Sequence, residues 1–126
     1  MTCFSINVKE KEKKVIVEIY DVDYPSEVKE GETVTVEFSM KIVSAENVSY
    51  PVDIPVCLYR KDGNLARKIT CKTIKYYGAV GERVTLSFTA PKSGTYEFAL
   101  VPSTEFDGLA WDDDFMCRNT YTILFD

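Results

Sequence analysis

The chain has 126 residues, a formal net charge of −5, no histidine and 45% hydrophobic residues. That length suits one domain, residues 1–126, able to bury roughly two-thirds of its unfolded surface. The acidic balance speaks against nucleic acid and anionic membrane surfaces, both of which select clustered Lys and Arg, and no apolar run reaches the length of a membrane span.

Apolar residues recur with period two along almost the whole chain, the pattern of half-buried strands. Cys3 to Val8 is too short and polar for the apolar region of a signal peptide. The expected location is cytoplasmic, or extracellular and surface-associated if a leader was removed. Phe4 to Val8 is a short extra strand at most. Lys9, Lys11, Lys13 and Lys14 alternate with Glu10 and Glu12, which makes a solvated face rather than a binding patch. Val15, Val17 and Ile19 begin the first strand, and Pro25 with the acidic stretch through Gly31 and Glu32 turns the chain. The second strand alternates most cleanly: Val34, Val36, Phe38, Met40 and Ile42 face one way and Thr33, Thr35, Glu37, Ser39 and Lys41 the other. One buried and one wet face follow.

Ser44 to Tyr50 is a polar loop containing Asn47-Val48-Ser49, a glycosylation acceptor triplet. Val52, Ile54, Val56 and Leu58 form the inward face of the next strand, where Pro55 demands a bulge or an unpaired side. Lys61-Asp62-Gly63-Asn64 is a hairpin turn, and the returning strand runs from about Leu65 to Tyr76. Val84, Leu86 and Phe88 follow. Pro91 and Gly94 precede a strand with Tyr96, Phe98 and Leu100 inward. An irregular acidic loop runs from Pro102 through Asp114, and Met116 to Phe125 makes a last strand. Turn signals between seven or eight short strands predict an all-β, antiparallel sandwich, with a jelly roll as runner-up.

The sequence Ser93-Gly94-Thr95-Tyr96-Glu97-Phe98 resembles the start of strand F in immunoglobulin-like sandwiches, where a tyrosine ties the corner to nearby backbone. Gly31-Glu32-Thr33-Val34-Thr35-Val36, Val56-Cys57-Leu58-Tyr59, the Pro91 to Tyr96 corner and Arg118-Asn119-Thr120-Tyr121 together resemble CARDB-type, cell-adhesion-related domains of bacteria and archaea. That resemblance covers about residues 15 to 126. It implies an immunoglobulin-like fold and no shared catalytic residues. Phe98 stands where an antibody-type domain carries its strand F cysteine, so the inter-sheet disulfide of those domains is ruled out.

Four cysteines stand at positions 3, 57, 71 and 117, with no Cys-x-x-Cys spacing and no histidine. A zinc site or a cysteine nucleophile with a histidine base is disfavoured. The alternatives are free thiols or disulfides, with Cys57–Cys71 flanking the Asp62-Gly63 turn as first choice and Cys3–Cys117 second. Bridges would fit an oxidising compartment or a hyperthermophile. The absence of glutamine and the excess of Lys over Arg are thermophile features. Glu105, Asp107, Asp112, Asp113 and Asp114 crowd one loop and are the candidate Ca²⁺ ligands. Trp111 anchors that loop to the core. The expected function is a non-enzymatic binding or structural module, with a protein or glycan partner and no required cofactor. The alternative is a small metal-dependent hydrolase using the loop 105–114.

Overall fold

Alternation of period two puts one side of each segment against apolar neighbours and the other in water, and two sheets close over the shared apolar side. The computed structural model describes residues 2–125. Its strands are β1 (Lys13–Asp23), β2 (Thr33–Glu46), β3 (Val52–Asp62), β4 (Leu65–Tyr76), β5 (Glu82–Thr89), β6 (Phe98–Val101) and β7 (Thr120–Phe125), with one helical turn, α1 (Asp113–Met116). All pairings are antiparallel, in sheets ordered β5-β2-β1-β7 and β4-β3-β6. The all-β sandwich expected from the sequence is the observed architecture.

The core holds the predicted face of β2, namely Val34, Val36, Phe38, Met40 and Ile42, together with Val15, Val17 and Ile19 of β1. Val52, Ile54, Val56 and Leu58 of β3 are buried with them. The β1–β2 register slips between Ile16 and Val17, which leaves Val43 opposite no residue and exposed. Pro55 lies opposite Thr73, whereas the β6 ladder stops at Cys57↔Val101. The missing Pro N–H therefore falls beyond that ladder, as the unpaired-side reading requires. At the hairpin tip Gly63 has φ 61°, the position glycine takes at the first central residue of a tight hairpin.

Three elements differ from expectation. The last strand, expected from Met116, begins at Thr120, because Met116 closes the helical turn α1 capped by Asp112. Phe4 to Val8 joins neither sheet, and residues 2–12 carry no regular structure. β6 buries Ala99 and Val101 more deeply than Phe98 and Leu100. The reason lies in where the last strand goes. In an immunoglobulin constant-type sandwich it joins the sheet of the third and sixth strands. Here β7 pairs with β1, from Lys13↔Phe125 to Glu18↔Thr120, and β6 becomes an edge. Phe98 and Leu100 face between the sheets at that unclosed margin.

Candidate functional site

The segment 102–119, expected as an irregular acidic loop from Pro102 to Asp114 and then the start of a strand, is a packed wrap. It leaves β6 and crosses the face of its sheet opposite Leu58, covering Cys57, Tyr59, Ala66, Ala99 and Val101, all of which are buried. The Tyr59 hydroxyl donates to Ser103 O at 2.6 Å and accepts from Phe106 N at 3.3 Å. Phe106 stacks on Phe115 with centroids 4.7 Å apart, and Phe115 meets Tyr121 edge-on at 5.6 Å. The backbone then pairs with β4: Ala66 N donates to Leu109 O at 2.8 Å and Gly108 N to Ala66 O at 2.7 Å. Trp111 packs against the core, as expected, and its indole N–H donates to Asp113 Oδ1 at 2.7 Å.

The five candidate Ca²⁺ ligands are not brought to one point. Asp107 Oδ1 accepts from Lys68 N at 2.9 Å, Asp112 Oδ1 caps α1 by accepting from Asp114 N at 3.0 Å, and Asp113 holds Trp111. Glu105 offers only its backbone N–H locally, to Ser103 Oγ, and Asp114 its backbone carbonyl, to Arg118 Nε. Among the described residues no three Asp, Glu, Cys or His side chains gather closely enough for a metal ion. Short polar side chains next to backbone donors are used for turns and caps, which is why an acidic run here builds a wrap and not a chelate. In the other polar loop, Asn47 adopts φ 56° and its amide donates to Glu12 O at 2.8 Å.

Cys57 and Cys71 form a disulfide directly across β3 and β4, with Cα atoms 4.1 Å apart. The second predicted bridge is not present: Cys3 and Cys117 are both exposed free thiols. Cys3 sits in the unpaired N-terminal segment, outside β1, so pairing of the terminal strands does not carry it to Cys117. Partial burial, with Asp113 and Glu97 nearby, raises the Cys117 pKa. Burial also raises Tyr59 and Tyr76, and pushes Tyr121 up to about 12. Each of these three hydroxyls donates to a backbone carbonyl: Tyr59 to Ser103, Tyr76 to Met40, and Tyr121 to Met116 and Arg118.

A concave slot of about 520 Å³ opens between the sheets at the β6 margin. Its floor is Ile19, Val34, Val36 and Leu58, and its walls include Phe88, Phe98 and Leu100. Phe88 and Phe98 touch with centroids 5.3 Å apart. Phe98 is 37% exposed despite its strand position. On the opposite rim Asp21 takes φ 49°, breaks the alternation of β1 and leaves Val22 and Tyr24 exposed. Cys117 and Arg118 complete the rim. Tyr96 closes one end, half-buried, its hydroxyl donating to Lys92 O at 2.6 Å and the Arg60 guanidinium 5.3 Å from its ring centroid.

Backbone groups line this slot as well. Lys61 N donates to Glu97 O at 2.9 Å, so antiparallel alternation turns the amides and carbonyls of Phe98 and Leu100 away from β3. Among the described residues no strand meets them there, and Leu100 O receives the Tyr121 hydroxyl at 3.4 Å. β7 likewise ends opposite Glu18, and after one further bond from Ile19 N to Asn119 O, at 2.8 Å, the end of β1 is without that neighbour. An apolar trough beside an unpaired edge can take an extended chain, with main-chain bonds for affinity and pockets for alternate side chains. The sequence carried its signal in Phe98 and Leu100, whose alternation reads as core because the position of β7 is invisible to it. No protein-family model, curated protein or solved structure matches the chain.

Proposed function

We propose that this protein is a non-enzymatic interaction module that binds an extended, alternately apolar segment along β6. The carrying observation is the coincidence of the unpaired β6 edge with the 520 Å³ apolar slot. The resemblance to CARDB-type, immunoglobulin-like domains supports the same reading, since that family acts through surfaces and shares no catalytic set. The partner is a protein, because main-chain pairing with an edge needs a peptide backbone.

Display of random peptides against the immobilised protein tests this directly, with Phe98→Glu as counter-target. Expected is enrichment of sequences with apolar residues at every second position, lost on the variant. Equal enrichment on both proteins, or none on either, removes the slot as a binding site.

A further inference from the structure

Two orphaned features of one chain fit each other. Phe4, Ile6 and Val8 are 82%, 74% and 85% exposed, alternate with polar Ser5 and Asn7, and belong to no sheet. The slot beside β6 lacks a strand of that pattern. Three alternate side chains of a strand span about 13 Å, and the four residues of β6 extend about 10 Å, so the donor overlaps β6 along nearly its whole length. Resting on the strand-binding reading, we propose that the slot's occupant is the N-terminal segment Thr2–Val8 of a second copy of this chain, with Phe4, Ile6 and Val8 turned into the trough.

The segment cannot reach the slot of its own copy in this way. It joins the body at Lys13, the far end of β1 from Ile19, Val22 and Tyr24. Doubling back along β1 is blocked by β7, which pairs with Lys13–Glu18. Once a turn of about two residues is made, only Phe4 comes level with the start of the slot. A second groove, of about 430 Å³ beside Ile123, Leu124 and Phe125, lies near the start of the same chain's β1. The segment stands clear of it, with all three apolar side chains in solvent.

The free thiols supply an independent link. Cys3 lies on the donor segment and Cys117 lines the slot, and both are exposed. Docking brings one copy's Cys3 to the rim that bears Cys117 of the next. Such a contact is head-to-tail: every copy offers a segment and a slot, so chains of copies grow unless the ring closes.

The full-length protein is mixed as heavy- and light-isotope copies and treated with oxidised glutathione at pH about 9, above the ordinary thiol pKa. One Cys3 and one Cys117 thiol lose two protons and two electrons to the glutathione disulfide, which leaves as two thiols. Expected is a Cys3–Cys117 peptide joining heavy to light, with the Cys57–Cys71 bond retained. Sedimentation velocity under reducing conditions should show concentration-dependent association. Deleting residues 2–10 should abolish it, and Ile6→Asp should weaken it at least about tenfold, because a carboxylate is disfavoured in an apolar trough. Ile6 is exposed and contributes nothing to the core, so this variant folds. A monomer at all concentrations, a Cys3–Cys117 bond within one copy, or association indifferent to the deletion overturns the inference. If peptide display still enriches alternating sequences, the binding reading survives with a different partner; if it does not, both fall together.

Discussion

Side chains of similar type carry very different weights here, and exposure decides which. Phe38 is fully buried between the sheets, whereas Phe98 is 37% exposed at the slot. Phe38→Ala should cost about 3–5 kcal/mol by leaving a cavity. Phe98→Ala should cost only about 1–2 kcal/mol, since much of its surface is already hydrated. Urea denaturation ranks the two, and the reverse order would contradict the observed packing. Tyr96→Phe removes the bond to Lys92 O at a half-buried site, and about 0.5–1 kcal/mol is expected. A second consequence concerns alkali. Burial raises Tyr59, Tyr76 and Tyr121 above the ordinary tyrosine value of 10.0, Tyr121 to about 12. The unfolded chain loses those protons first, so their stabilising contribution is complete below pH 10 and is lost as pH rises toward 12. Tyrosinate absorbance followed together with far-UV circular dichroism should show part of the absorbance developing only as the fold is lost. Complete ionisation with native ellipticity would contradict it.

At the scale of elements, the β3–β4 hairpin and the wrap 102–119 hold one another. The disulfide spans 14 residues of sequence, and closing such a loop in the unfolded chain is worth about 3 kcal/mol. Alkylation without reductant followed by intact mass should label Cys3 and Cys117 alone, and Cys57→Ala/Cys71→Ala should unfold at a correspondingly lower urea concentration. Four labelled thiols would contradict the bridge. The wrap rests on Phe106, Phe115 and Tyr121. Phe115→Ala should therefore raise hydrogen exchange across 102–119 and at Ala66, whose N–H donates to Leu109 O, while β2 stays protected. Because Asp107, Asp112 and Asp113 already accept local hydrogen bonds, millimolar Ca²⁺ should leave the melting temperature unchanged. A rise of several degrees would place a metal where none is expected.

For the molecule as a whole, the sheets share one core and the wrap ties β6, β4 and β7 together. Trp111 sits in the wrap, far in sequence from the β2 core, and is the sole tryptophan. Its fluorescence and far-UV circular dichroism should report one coincident unfolding transition. An earlier fluorescence transition would mean that the wrap opens as a separate unit.

The strand pattern was legible because alternation is a local property: β2 needs nothing beyond residues 33–42 to declare which face is buried. The hairpin at Gly63 and the Cys57–Cys71 register followed from it, since two strands joined by a tight turn have a nearly determined pairing. The Tyr96 corner was equally local, its bond reaching back four residues to Lys92. Long-range placement was not legible. Whether β7 joins β1 or β6 depends on a competition between distant edges, and no residue in either strand announces the outcome. That one choice leaves Phe98 exposed and Leu100 only partly buried, and opens the slot. The packing of the acidic wrap was illegible for the same reason: Asp107 and Asp112 are drawn to separate backbone amides and Asp113 to the Trp111 indole. Amino-acid order alone determined most of the strands, the turn and which two cysteines stand closest across it. The tertiary structure decided which edge stayed open, because closure is settled by how whole sheets compete to cover apolar surface.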